Sequence, residues 1–275
     1  MQSWYKELRQ ICLLTLGFQC CNCVSAAERK TLVANTLEYP PYEYTNDHGH
    51  ASGLAIEIID EVFKQIDNYN IRYEFYPWKR AVLHTQRGEA DILFNAGVSD
   101  ARKLWGNYAN SVLINQTYVL FKRQDSNIAF KPDFSGFHQY SIAIKRGYLY
   151  GTGPFRQALD TGKFGAISIS SSTQQSVKKL LHRRVDLFVG DYTPTMYAIR
   201  RAKLESVIDI VQDDTGNAVV LTWPTYLLFS KQTVPIELVQ QVTQVLDEMK
   251  QSGRYQQIVE RYTQGISMPQ DAAPH

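Results

Sequence analysis

Twice along the chain, strand-type runs alternate with helix-type runs, and this double alternation limits the fold more than any other feature. In the first round, "TLVANTL" (31–37) reads as a strand entering a loop broken at Pro40-Pro41. "SGLAIEIIDEVFKQI" then places Leu54, Ile58, Ile59, Val62, Phe63 and Ile66 at helical spacing, with Ser52 as the expected cap. "IRYEFYP" alternates like a strand, "WKRAVLHTQRG" reads as a short helix stopped by Gly88, and "ADILFNAG" is a buried-type strand ending in a glycine loop. Strand, helix, strand, helix, strand predicts a parallel sheet with helices on its faces.

The second round begins with "YSIAIK" (140–145), a strand closed by Gly147. A helix over "STQQSVKKLLHRR" with Ser172 as its cap, a buried strand "VDLFVGD" ending at Asp191, and a helix over "TPTMYAIRRA" follow. "PIELVQQVTQVLDEMKQSGRYQQIVERYT" predicts two helices broken at Ser252-Gly253. Two extended, apolar stretches lie between the rounds, "SVLINQTYVLFKR" (111–123) and "VVLTWPTYLLFSK" (219–231). They read as two ordinary strands, or as the path by which the chain leaves one lobe, builds a second and returns. The expected division is residues 27–114 with 222–265 as lobe one, 115–221 as lobe two, and 266–275 as a tail.

The N-terminus has the layout of a secretory signal peptide over residues 1–26. Lys6 and Arg9 precede a short apolar run, residues 11–18, and Val24-Ser25-Ala26 supplies small residues for cleavage after Ala26. The run is too short to span a membrane; the alternative is a partly buried N-terminal helix. All four cysteines, Cys12, Cys20, Cys21 and Cys23, fall inside this segment, so the mature chain is expected to have no disulfide and no thiolate site. Cys20 follows Gly-Phe-Gln rather than small residues, which argues against a lipid anchor. The leader holds two of the 29 bases and one of the 27 acids, leaving 27 against 26, a net charge of +1. With no long basic run, nucleic-acid binding has no support.

From the order of these features the chain resembles the periplasmic solute-binding proteins of family 3, the polar amino-acid receptors of ABC transporters. "EYPPYEY" resembles the family's first-strand loop, and "SGLAIEIIDEVFKQI" its following helix. "WKRAVLHTQRGEADILFNAGVSDAR" resembles the stretch that ends in a Gly/Ser/Thr loop and an arginine. "VKKLLHRRVDLFVGD" and "LDEMKQSGRYQQIVERY" resemble its later motifs. The resemblance covers about residues 30–264. It implies a type II periplasmic binding protein fold: two α/β lobes with a ligand cleft, joined by two extended hinge segments. It also implies a periplasmic monomer without cofactor or metal, whose partners are a small-molecule ligand and a membrane ABC permease or a signalling protein.

The resemblance also implies site residues. Arg102 stands where the family's arginine grips a ligand carboxylate, a task suited to a planar bidentate fork; otherwise it is a solvated arginine at a helix start. Gly97 and Ser99 are neighbours able to offer amides or a hydroxyl. Asp191 stands where the family's acid takes the ligand's amino group; an acid there is also an ordinary N-cap. Tyr39 and Trp78 are the expected aromatic walls, with packing as the alternative, and Tyr42 and Tyr44 are secondary. Arg80 reads more simply as a surface residue, and His48 and His50 as a solvated turn.

The sequence departs from the family in three places. Asp91 to Arg102 is one residue shorter than the commonest pattern, and Asn95-Ala96 replace small hydroxyl residues. Arg146, Gly147, Tyr148, Leu149 and Tyr150 replace a threonine loop, which makes Tyr148 a candidate contact and puts a standard amino-acid ligand in doubt. No nucleophile–base pair or phosphate loop is present, so the expected function is binding, not catalysis. The rivals are a dehydratase on the same fold, with Glu38, Glu43 and Asp191 as available acids, and a detached sensor subunit.

Overall fold

The computed structural model describes residues 29–148 and 150–263. The expected leader, its cysteines, the cleavage point after Ala26 and the tail lie outside these residues.

The first round comprises β1 (Lys30–Thr36), the small hairpin β2 (Tyr44–Thr45) and β3 (Ala51–Ser52), α1 (Leu54–Lys64), β4 (Tyr69–Phe75), α2 (Trp78–Gln86) and β5 (Ile92–Gly97). A single turn, α3 (Asp100–Lys103), and β6 (Gly106–Tyr108) lead into the long β7 (Ile114–Arg123). The second round comprises β8 (Ser141–Lys145), α4 (Pro154–Asp160), β9 (Ala166–Ser170), α5 (Thr173–Leu181), β10 (Leu187–Asp191), α6 (Tyr192–Arg201) and β11 (Ile208–Ile210). The long β12 (Val219–Ser230) returns, and α7 (Ile236–Gln251) and α8 (Arg254–Thr263) close the chain.

The strands run in the order β4-β1-β5-β12-β7-β10-β8-β9, with β6 on β12 and β11 on β7. Each half is parallel, β4-β1-β5 on one side and β10-β8-β9 on the other, and β12 and β7 run antiparallel between them. β7 pairs with β12 through Ile114–Val119 and with β10 through Tyr118–Lys122. β12 pairs with β7 at its start and with β5 from Thr225 on. The two extended connectors read from the sequence are therefore paired strands that hold both halves in one curled sheet, which gives the two-lobed type II fold.

Each lobe has its own core. In the first, Leu54, Ile58, Ile59, Val62 and Phe63 of α1 pack on Leu32, Ala34, Ile92 and Phe94 of the sheet and on Leu238, Val242 and Leu246 of α7. This is the apolar stripe read from the helical spacing; truncating Ile58, fully buried, would cost about 2–5 kcal/mol. In the second lobe Phe134 touches the rings of Phe130, Phe137, Phe155 and Phe164. On the other face Phe121 stacks on Phe188 at 4.8 Å.

One local expectation is corrected. The cap of α1 is Gly53, not Ser52, which belongs to β3. The Leu54 and Ala55 amides donate instead to the carbonyls of Pro41 and Tyr42, so the tyrosine loop sits on the helix N-terminus. Gly53 has φ 125°, and a Cβ there would lie 2.4 Å from the Tyr42 carbonyl, so the loop closes on the helix only through a glycine. Ser172 does cap α5, its hydroxyl accepting the Gln175 amide at 3.1 Å.

Candidate functional site

The carboxyl ends of β1, β5 and β8 meet the hinge strands around a cavity of about 60 Å³, whose walls include Tyr39, Trp78, Arg102, Gln116, Tyr148 and Trp223. Such strand ends are where open α/β sheets place ligands. A wider recess of about 590 Å³ shares Tyr39, Trp78 and Tyr148 with it and adds Lys79, Lys145 and Arg146. Four of the sequence candidates, Tyr39, Trp78, Arg102 and Tyr148, thus come together at one cavity.

Arg102 is carried by α3 just after the glycine loop. Its Nη1 donates to the Gly97 carbonyl at 2.6 Å, which also accepts the Tyr108 hydroxyl at 3.0 Å. The guanidinium stands 5.3 Å from the Trp78 ring centroid. None of the ion pairs among the described residues involves it. A fixed guanidinium without an anionic partner in a cavity wall has the geometry and charge to bind a carboxylate. Ser99 is elsewhere: its hydroxyl accepts the Arg102 amide as the cap of α3, and it does not line the cavity. Arg80 is exposed and lines neither space. His48 and His50 lie in the exposed turn, their amides donating to Asn46.

Trp223, on β12, was legible only as part of a connector strand, yet it forms a central wall. A Cβ added to Gly97 would lie 2.0 Å from its indole nitrogen, and one added to Gly151 would lie 3.2 Å from its ring. The hinge tryptophan is therefore wedged between a glycine of each lobe, and the absence of side chains at both makes its place.

Part of this wall is a buried polar chain that leads back to Glu43. The pairing of β5 with β12 slips by one residue next to Asn95, whose φ of 56° is one that asparagine tolerates better than most residues. The Asn95 amide donates to both oxygens of fully buried Glu43 at 2.9 and 3.0 Å. Its carbonyl accepts from Thr225 at 2.5 Å and Gln116 at 3.2 Å, and Gln116 accepts from the Tyr118 hydroxyl at 2.8 Å. Burial pushes the Glu43 carboxyl well above the usual range, against the hydrogen bonds from Asn95 and Thr36. The sequence showed Asn95 only as a departure from a hydroxyl pattern; the partner that needs an amide there is 52 positions away.

The opposite wall belongs to the second lobe. Lys145 is partly buried at the end of β8, its Nζ 4.4 Å from the Tyr39 ring centroid and 5.0 Å from that of Tyr148. Burial lowers its pKa to about 8, with the charge of Asp191 opposing the shift. Asp191 is 1% exposed and lines neither space. Its Oδ1 accepts the Tyr42 hydroxyl at 3.3 Å across the lobes, its Oδ2 has no partner, and it makes no side-chain cap to α6. Burial raises its pKa to about 8, opposed first by the charge of Lys145. Burial, then the charge of Asp191, pushes the Tyr39 and Tyr42 phenols far up, so both keep their protons. Among the described residues no group of three or more His, Cys, Asp or Glu is placed to hold a metal, and no helix is long and apolar enough to cross a membrane.

Comparison with known proteins agrees with this architecture. An arginine-binding periplasmic protein of Mannheimia haemolytica is 24% identical over 260 residues, covering 92% of this chain and 98% of that protein. A histidine kinase sensor domain with similarity to periplasmic binding proteins superposes with a TM-score of 0.70 at 18% identity, over 88% of this chain and 99% of that one. An ancestral arginine-binding protein bound to arginine gives 0.68 at 17%, over 85% and 98%. The model of the bacterial extracellular solute-binding proteins, family 3, matches residues 32–265. With that match spanning both lobes and the hinge strands, the chain belongs to the bacterial extracellular solute-binding proteins, family 3.

Proposed function

We propose that this chain is an exported receptor that captures a small carboxylate-bearing solute, of amino-acid dimensions, between its lobes and delivers it to a membrane ABC permease. The observation that carries the reading is the Arg102 guanidinium, fixed on the Gly97 carbonyl and Trp78 and facing the inter-lobe cavity without an anionic partner. The lobes are assigned to residues 27–114 with 222–265 and to 115–221, divided where β7 and β12 pass between the two parallel halves. A thermal-shift screen of small carboxylates and amino acids, followed by small-angle scattering, tests it: a ligand should raise the unfolding midpoint and compact the particle, and an unchanged radius at saturation would count against closure of the lobes. No shift with any carboxylate would overturn the assignment. N-terminal sequencing of periplasmic protein should begin at or near Ala27; recovery of intact Met1 from the cytoplasm would refute export.

The likeness to a histidine kinase sensor domain supports a second reading, in which the same closed complex is handed to a signalling partner. Loss of uptake on deletion of the gene supports the transporter, and loss of a transcriptional response without loss of uptake supports the sensor. Dehydration chemistry needs a proton donor at the substrate. Of the acids with raised pKa, Glu43 and Asp191 line neither space and Asp60 lies on α1 away from both, while Glu38, on the recess, is engaged by the Thr45 amide and hydroxyl, which favours binding over turnover.

A further inference from the structure

The aromatic faces on which a ligand's cation would rest are already covered by cations of the protein. Arg102 covers Trp78, and Lys145 covers both Tyr39 and Tyr148. Lys145 comes from the second lobe and Tyr39 from the first, so this ammonium spans the cleft. Two acids bear on this space: Asp191 is closed off from both the cavity and the recess, and Glu38, which lines the recess, already accepts the Thr45 amide at 2.9 Å and the Thr45 hydroxyl at 2.6 Å with its two carboxylate oxygens. What remains facing the cavity beside Arg102 carries no charge: Asn95, Gln116 and Thr225 are bonded to one another, and Leu37, Leu221 and the indole of Trp223 supply apolar surface.

Resting on the receptor reading above, we infer that Lys145 is a specificity residue: its ammonium fills the place of a ligand's amino group, so the site takes a carboxylate with an apolar body and no ammonium. A ligand ammonium would enter beside a like charge in a poorly solvated space, with Asp191 closed off and Glu38 engaged by Thr45. A cationic amino acid would in addition have to displace Arg102 or Lys145 from an aromatic face. The arginine ligand carried by one structural relative is thus not expected here.

Calorimetry on the full mature chain with matched pairs tests this: hydrocinnamate against phenylalanine, isocaproate against leucine, and glutarate against glutamate, with arginine as the cationic probe. The wild type should bind the amine-free member of at least one apolar pair about tenfold or more tightly than its amino acid, and should not bind arginine. Lys145→Met, which keeps the stem and removes the charge, should narrow or reverse that preference; Lys145→Gln is the second variant should the first fold poorly. The wild-type ratio needs no variant at all. Tighter binding of the amino acid by wild type, or an unchanged ratio in a folded Lys145 variant, would overturn the inference and leave the receptor intact. If none of the pairs binds, the carboxylate-receptor reading falls, and the inference with it.

Discussion

In the first lobe the Asp91 carboxylate accepts the Val33 amide of β1 at 2.8 Å; in the second the Asp186 carboxylate accepts the Ser141 amide of β8 at 2.9 Å. Each aspartate directly precedes the strand that pairs beside the one it holds, and each follows a helix ended by a turn residue of positive φ, Gly88 or Arg183. The scaffolds are made alike, but the cleft walls are not. The first lobe presents a guanidinium held by backbone and stacked on an indole, with no anion beside it. The second presents an ammonium lying over the rings of Tyr148 and of Tyr39 from the first lobe, a strand end whose Lys145 amide donates to the Tyr150 hydroxyl, and a buried acid bonded to Tyr42 across the cleft. The guanidinium faces the cavity with the chemistry to take a carboxylate, whereas the ammonium is already seated on two aromatic faces.

The largest effect that tests this contrast is on affinity. Arg102→Ala should weaken binding of any carboxylate found in the screen by about 2–5 kcal/mol, or roughly 30- to several-thousand-fold. Arg102→Lys should also lose affinity, since a point ammonium cannot reproduce the fork or the stacking on Trp78. Unchanged calorimetric affinity in Arg102→Ala would move the carboxylate to the Tyr148 side and break the comparison.

Next comes the geometry of the first wall. In Gly97→Ala the new Cβ would meet the Trp223 indole at 2.0 Å, so a hinge side chain must move. Overpacking of this kind should cost about 1–3 kcal/mol, read from the urea midpoint, with a change in tryptophan fluorescence. A variant as stable as wild type with an unaltered spectrum would show that the indole is not wedged.

The second wall should reveal itself through pH. The Asp191 pKa is raised by burial from about 4 to about 8, so the folded state holds a proton that the unfolded chain releases between those values. Its contribution is complete below pH ~4 and is lost as pH rises through about 8, at no more than about 1.4 kcal/mol per pH unit. Lys145, lowered by burial to about 8, acts in the opposite sense only above that value, regaining stability toward its ordinary pKa. Denaturant titrations should therefore show stability falling from pH 5 to 8 less steeply in Asp191→Asn than in wild type. Equal slopes would mean that Asp191 is ionised in the fold.

The smallest effects separate the caps. Ser172→Ala should lower stability by about 1 kcal/mol with a smaller effect on affinity, because Ser172 borders the recess but not the cavity that Arg102 faces. Ser99→Ala removes the cap of the turn that carries Arg102, so a comparable loss should appear in affinity as well. Identical behaviour of the two variants in calorimetry would argue that α3 does not hold Arg102 in place.

Periodicity and spacing were enough for much of this. The apolar stripe of α1, the break at Ser252-Gly253, the Ser172 cap and the two extended connectors are local patterns, and a local pattern is what 3.6-residue and two-residue repeats encode. The order of motifs carried the family and the place of Arg102, Tyr39, Trp78 and Tyr148 around one cavity. Tertiary structure alone decided the rest. Nothing near Ser52 announces that the carbonyls of Pro41 and Tyr42 will cap α1, and nothing near Trp223 announces two glycines of different lobes on its faces. Glu43 and Asn95 are neighbours only because a one-residue slip in β5 turns the amide inward. Asp191 stands where its motif put it, at the end of a strand, yet burial closes it from the cavity and Lys145 comes to stand over the aromatic faces instead. A sequence fixes which charges a chain carries and roughly where each strand ends. Which charges find each other depends on distances between segments far apart in the chain, and desolvation and pairing are set by those distances.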